Sequence, residues 1–277
     1  MTVETPEDAS GDGSGIRVER DDAGVVRLTL SRPAKKNAIH GPMWTALADA
    51  LAEVADRPED RVLVVSGAGD AFCAGADLTE PVDGRTMDDL DPGQALRQMR
   101  RVGQVLRLLH ELPKPTLALV DGVAVGAGAG IALACDLVLA GPKARLSIIF
   151  SARGLSLDAG TSWLLPRLVG LQRAKELAFF GDMLDAETMH RLGLANRVFD
   201  DADTLRRTGD AWARRLAQGA PIQLSLTKSL LHESSDRTLA QAVEAEAAAQ
   251  TIALGTRDLR EALAAFVEKR SPRYEGR

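Results

Sequence analysis

Val62-Leu63-Val64-Val65-Ser66-Gly67-Ala68-Gly69-Asp70-Ala71-Phe72-Cys73-Ala74-Gly75-Ala76-Asp77-Leu78 opens with a short apolar strand, closes it with a glycine turn and continues in small residues around one aromatic. A second stretch repeats the plan. Thr116 to Val120 runs into Asp121-Gly122-Val123-Ala124-Val125-Gly126-Ala127-Gly128-Ala129-Gly130, and Ile131 to Cys135 follows. Short apolar runs bounded by glycine predict strands buried on both faces. Each stretch reads as strand, turn and then helix start. That order gathers unpaired backbone N–H groups and the positive end of a helix dipole at one place. An anion, or an oxyanion forming during a reaction, suits such a place.

Working outward, Ile16 to Glu19 and Val25 to Leu30 predict two strands around the turn Asp21-Asp22-Ala23-Gly24. Arg32 to Asn37 is a polar loop, and Pro42 starts an amphipathic helix to about Ala55. A helix is expected from about Gln94 to Leu112, and a strand from Leu137 to Ala140. Strand and helix alternate to about Phe199, which predicts an α/β fold with a crossover-rich sheet. Beyond residue 203 only helices are expected: Asp203 to Gln218, Ile222 to His232, Leu239 to Leu254 and Asp258 to Glu268. The organisation is thus a disordered tail over 1–15, a core over 16–202 and a helical region over 203–277.

The chain of 277 residues is 45% hydrophobic but only 4% aromatic, so its core is built mainly from Ala, Leu and Val. The net charge is -5 and the basic residues are scattered, which argues against nucleic acid as a partner. No apolar run reaches the ~20 residues of a membrane span. The acidic, Gly/Ser-rich start is not the pattern of a signal peptide. Cys73 and Cys135 lie in apolar or small-residue segments, which predicts buried free thiols and a reducing compartment, the cytoplasm.

Several patterns are decoys. Gly126 to Gly130 lacks the last glycine of a dinucleotide turn, since Ile131 stands there. Ser225-Leu226-Thr227-Lys228 fits S-x-x-K without partner motifs and reads as a helix surface. The four histidines have no metal spacing, and His110 reads as a helix-end residue. No metal site is expected.

At the two glycine turns the sequence resembles the enoyl-CoA hydratase/isomerase (crotonase) superfamily. Ser66-Gly67 to Leu78 matches the first family signature, and Lys114-Pro115 through Asp121-Gly122 to Cys135-Asp136 the second. The likeness extends through Leu165-Pro166-Arg167-Leu168-Val169-Gly170 and Gly193-Leu194 to Phe266-Val267-Glu268-Lys269-Arg270. It implies a crotonase-like spiral of ββα units with a C-terminal helical trimerisation region, as a homotrimer or a dimer of trimers. It further implies an acyl-CoA thioester as substrate, with no separate cofactor, and the thioester oxygen held between the N–H groups of Ala76 and Ala127. One such preorganised donor is worth roughly 3 kcal/mol to an enolate. Ala127 stands where many relatives have glycine, and it keeps the N–H provided its φ is negative. For CoA, the resemblance points to Lys35, Lys36, Ala74, Ala76, Asp77 and Leu78, and to Phe266 and Lys269 from a neighbouring subunit.

The chain departs from the hydratases at both of their glutamates. The first position is Gly130 and the second Phe150. Neither transfers a proton. Asp158, in Leu157-Asp158-Ala159-Gly160, remains as the candidate acid/base, because isomerisation needs one group that takes a proton from one carbon and returns it to another. Asp158 equally suits a turn or a helix N-cap. Glu80, Asp83, Asp88, Asp89 and Asp91 are further carboxylates for a second acid, and Phe150, Trp163 and the loop near Met87 hint at an apolar pocket. The expectation is double-bond isomerisation. Hydration by another carboxylate, acyl-CoA hydrolysis and non-catalytic acyl-CoA binding are the alternatives.

Overall fold

The computed structural model of the chain describes residues 14–79 and 91–277. The acidic residues 80, 83, 88 and 89, Met87 and the first thirteen residues of the expected tail lie outside them.

Strands β1 (Ile16–Arg20) and β2 (Val25–Leu30) form an antiparallel hairpin. β3 (Val62–Gly67), β4 (Thr116–Val120), β6 (Leu137–Ala140) and β9 (Arg197–Val198) extend it in parallel, giving the order β1-β2-β3-β4-β6-β9. A smaller sheet has the order β5 (Val123–Val125), β7 (Arg145–Ser147), β8 (Leu184–Asp185). Val62 to Val65 are all buried, as a parallel strand covered on both faces requires.

The connections make a spiral. β4 in the large sheet leads to β5 in the small one and then to helix α3 (Ala127–Ala134). β6 leads likewise to β7 and, after a 3₁₀ turn at Ile149–Arg153, to α4 (Thr161–Val169). Earlier turns do the same with single bridges: β2 is followed by a bridge of Ile39 to Ala76 and by α1 (Gly41–Asp56), and β3 by a bridge of Cys73 to Ala124 and by α2 (Pro92–His110). The expected α/β spiral is therefore present. One local expectation fails. The first glycine turn does not open a helix: residues 71–77 carry single bridges, Cys73 to Ala124 of the small sheet and Ala76 to Ile39, and a turn follows at 78–79. Only the second turn delivers a helix N-terminus.

Helices α1 and α2 cover one face of the large sheet. α1 turns Met43, Trp44, Leu47, Leu51 and Val54 inward at helical spacing. α2 is started by Asp91, whose side chain accepts from the N–H groups of Gly93 and Gln94 while Gln94 answers in a capping box. That structural duty accounts for Asp91, the one acid of its segment among the described residues. α5 (Leu171–Phe180) and α6 (Ala186–Arg191) complete the core.

The four later helices are α7 (Ala202–Ala217), α8 (Pro221–His232), α9 (Leu239–Leu254) and α10 (Arg257–Glu268). α7 is not part of a separate appendage in its packing. Its Leu205, Ala213 and Ala217 bury the other face of the large sheet against Val25, Val62, Val64, Leu117 and Leu139. Lys228 of α8, read above as helix surface, is instead half-buried, its side chain turned toward the sheet. Its Nζ lies 2.8 Å from Asp136 Oδ2 and 3.1 Å from the carbonyl of Lys114, tying the helical region to the sheet. The chain after α10 folds back, with Glu275 and Gly276 donating backbone N–H groups to the buried carboxylate of Asp258. No described helix is long and apolar enough to cross a membrane.

Candidate active site

Residues 73–77 run between two neighbours, and the hydrogen bonds of their amides decide what is left over. Cys73 N–H donates to Val123 O (2.8 Å), Ala74 N–H to Lys36 O (2.9 Å) and Asp77 N–H to Ile39 O (2.9 Å). Gly75 N–H is 3.4 Å from Cys73 Sγ. Ala76 N–H, on an exposed residue, donates to no acceptor among the described residues. The neighbouring loop is itself pinned. Buried Asn37, at φ 57°, donates to the carbonyls of Ala68 and Ala71 and accepts from Arg32 N–H, and Arg32 Nη1 pairs with Asp77 Oδ2 at 3.2 Å.

The second turn meets the first at bare glycines. A Cβ on Gly75 (φ 95°) would lie 2.8 Å from Val125 O and 3.7 Å from Ala127 N, and one on Gly128 would lie 2.3 Å from Cys73 O. Only glycine allows the two backbones this close. Gly126, at φ 56° and ψ -119°, turns the chain, so α3 begins at Ala127. Ala127 itself keeps a negative φ. As the first helical residue it has an N–H without an intrahelical acceptor, and no other described acceptor takes it. Two unengaged amides thus belong to segments in direct contact. A Cβ at Gly126 would lie 3.8–3.9 Å from the Phe150 ring, so Phe150, only 5% exposed, walls the second turn.

The turn holding Asp158 sits one helical turn further along α3. A Cβ on Gly130 would lie 2.5 Å from the Ala159 carbonyl oxygen and 2.8 Å from Ala159 Cβ. The position that carries a glutamate in the hydratases is therefore filled by another piece of backbone. Ala159 has φ 49° and Gly160 φ 70°. Asp158 does not cap α4 with its side chain. Its backbone carbonyl accepts from Thr161 N–H (3.0 Å) and Thr161 Oγ1 (2.7 Å), while carboxylate Oδ1 is buried with no partner. Burial, uncompensated by any donor, pushes the Asp158 pKa up.

The other expected positions fall as follows. Lys35 and Lys36 are exposed beside Ala74, and Leu78 is half exposed. The Asp77 carboxylate is opposed by burial, but hydrogen bonds from Thr79 and Arg32 outweigh this and hold its pKa down. Its side chain organises the loop. Phe266 and Lys269 are exposed at the end of α10, and no hydrogen bond or ion pair joins them to residues 74–78 within the chain. Cys73 and Cys135 are buried and free, and burial raises both thiols to about 12. Trp163, one of the aromatics read as pocket candidates, lines a cavity with His110, Leu133, Leu164 and Arg167, and its ring packs against His110 and Arg167. Arg32 and Asn37 were hidden in what reads as a polar loop, and their signal is the pairing of an Asn in left-handed backbone with a glycine turn 30 residues on.

The family model described as enoyl-CoA hydratase/isomerase matches residues 20–277. A 1,2-epoxyphenylacetyl-CoA isomerase of Escherichia coli is 39% identical over 256 residues, covering 92% of this chain and 96% of its own. Human enoyl-CoA hydratase domain-containing protein 2, mitochondrial, is 33% identical over 98% of this chain and 93% of its own. Among solved structures, the enoyl-CoA hydratase of Bacillus anthracis superposes with a TM-score of 0.89 at 30% identity, covering 95% of this chain and all of that one.

Proposed function

Because the chain belongs to the enoyl-CoA hydratase/isomerase family, we propose that it isomerises an acyl-CoA thioester with Asp158 as its acid/base. The carboxylate removes a proton from one carbon of the acyl chain, and the electron pair of that C–H bond is delocalised onto the thioester oxygen. The N–H groups of Ala76 and Ala127 stabilise the oxyanion. Protonated Asp158 then gives the proton back at another carbon, so no water or second acid is consumed.

The observation that carries this reading is the Asp158 carboxylate, buried at one oxygen and bound to nothing, while its backbone does the capping. A buried carboxylate oxygen without a partner is costly unless a ligand uses it. Gly130 and Phe150 support isomerisation over two-glutamate hydration, since neither titrates and a side chain at 130 would strike Ala159. The name of the Escherichia coli relative points the same way. A lone carboxylate also serves hydration, and the hydratase names among the relatives keep that reading in play. Exposed apolar side chains on the late helices, Leu239 at 81%, Phe266 at 84% and Val267 at 78%, favour a homotrimer or a dimer of trimers. Phe266 and Lys269 would then reach a neighbour's CoA site. Two buried free thiols fit the cytoplasm.

The test is Asp158→Asn assayed on enoyl-, dienoyl- and aryl-CoA thioesters, with CoA binding measured by calorimetry. The expected result is a loss of about 10²–10⁴-fold in kcat with affinity kept within a few-fold. Undiminished turnover by the variant refutes the assignment, and net water addition to crotonyl-CoA by the unmodified protein replaces isomerase by hydratase.

A further inference from the structure

The two unengaged amides of the site are held in different ways. Ala127 N–H opens α3, so the helix aims it and lends it the positive end of a dipole. Ala76 has no helix behind it. The peptide unit joining Gly75 to Ala76 is planar and trans, so its C=O and N–H point in opposite directions. That carbonyl accepts from Ile39 N–H at 2.8 Å, which turns the Ala76 N–H away from the 32–39 loop. The same rule applies one step back. The unit joining Ala38 to Ile39 accepts at its carbonyl from Arg32 Nη1, 2.7 Å away. A guanidinium and two peptide groups thus form one relay of hydrogen bonds that ends at the Ala76 amide.

Arg32 is placed to drive this relay. It is buried, and its bond to Ala38 O is charge-assisted, the shorter and stronger kind. Asp77 Oδ2, 3.2 Å from the same Nη1, keeps the guanidinium in place. Asp77 N–H in turn donates to Ile39 O at 2.9 Å and closes the bridge on the far side of Ala76. The 3₁₀ turn Pro33–Lys35 folds the chain back, so that Arg32 reaches a carbonyl six residues ahead. Hydrogen bonds in series polarise one another, more strongly away from water. A cation at one end therefore makes the N–H at the other end a better donor. Asp77 offsets the bare charge, so the guanidinium contributes direction and local polarisation rather than a long-range field.

We infer that Arg32 is a positioning residue that aims and polarises the Ala76 amide through the two peptide groups between them. This rests on the reading of that amide as a donor to the thioester oxygen, but not on Asp158 or on isomerisation. At the first turn Arg32 does for one amide what the dipole of α3 does for the other.

The test reads the thioester carbonyl itself. Butyryl-CoA labelled with ¹³C at the carbonyl is bound to the unmodified protein and to Arg32→Met, Arg32→Gln and Arg32→Lys, and its C=O stretch is recorded by infrared difference spectroscopy. In the unmodified protein the stretch should fall below its free-solution value. Arg32→Met and the shorter, neutral Arg32→Gln should lose at least half of that shift, and Arg32→Lys, which keeps a cationic donor, should retain most of it. On a thioester that is turned over, kcat of the two neutral variants should fall about tenfold, less than the roughly 10²–10³-fold lost when a donor is removed outright, with KM kept within a few-fold. A merely structural role would lower the melting temperature and leave the stretch unmoved. Arg32→Gln carries the test should Arg32→Met fail to fold. A shift kept in full by either folded neutral variant overturns the inference, whatever happens to kcat. No shift in the unmodified protein removes the amide pair as an oxyanion hole, and the inference with it.

Discussion

Replacing Gly130 by alanine isolates the seating of the Asp158 turn from the carboxylate itself. The added Cβ would stand 2.5 Å from Ala159 O and 2.8 Å from Ala159 Cβ, against 3.4 Å for ordinary contact, so the turn has to retreat by about 0.6–0.9 Å. A misplacement of about 1 Å costs on the order of 10²-fold when a reacting group must be in line. Stability moves less. Overpacking of this kind costs about 1–3 kcal/mol, and alanine returns up to about 1 kcal/mol of helix propensity at the same site. Gly130→Ala is thus expected to fold, with a net loss of about 0–2 kcal/mol, while kcat falls roughly a hundredfold and CoA affinity is kept. Adding Ala159→Gly removes the Cβ clash and the positive-φ strain, but not the carbonyl contact, and should recover part of kcat. Steady-state kinetics with a denaturant melt of each variant make the measurement. A Gly130→Ala protein within twofold of the original kcat would refute the reasoning. Gly130→Glu is expected to yield no hydratase, because the longer side chain meets the same backbone first.

Because burial raises the Asp158 pKa in the fold, its ionisation opposes folding: its contribution is most favourable below the unfolded carboxylate value and is lost as pH rises through the folded one. Asp158→Asn should therefore melt higher at pH 7, with the gap closing on acidification, and a gap that ignores pH would contradict this. In the unmodified enzyme the same shift places a rising limb of kcat/KM above the ordinary carboxylate range. Lys228→Met leaves the half-buried Asp136 with its hydrogen bonds from Thr116 but without Lys228, and should cost about 1.5–3 kcal/mol in chemical denaturation; a cost below about 0.5 kcal/mol would mean that the bridge is dispensable. Asp258→Ala releases the amides of Glu275 and Gly276; a loss of about 1.5–3 kcal/mol and faster proteolysis of residues 270–277 are expected, and unchanged proteolysis would show that the tail is held elsewhere.

Much of the frame was legible because its signals are local. Thr116–Val120 and Leu137–Ala140 are largely apolar runs and Val25–Leu30 is a mostly apolar stretch broken by Arg27 and Thr29; all three are cut off by turn residues, and the strands end where the stretches do. Leu239–Leu254 is likewise bounded by its Thr238 cap and Gly255. The start of α3 was harder. From Ala127 to Gly130 every residue is small and buried, so no periodic stripe marks the helix. The site depended on partners distant in sequence. Gly130 reads as a missing glutamate until Ala159, 29 residues later, is found against it, and Lys228 reads as surface until Asp136 is found 92 residues before it.

The two glycine turns leave from β3 and β4, which are neighbours in the middle of the large sheet. Adjacent strands keep a separation of about 4.8 Å whatever their side chains. The gauge between the turns is consequently set by the peptide ladder, a quantity that substitution hardly alters. Selection acting on this scaffold can exchange the residues that face the substrate, at Phe150 or in the turn around Asp158, without recalibrating the pair of amides. New acyl preferences should then accumulate in that lining, and variants that change reaction type should be far commoner than variants that widen the gauge.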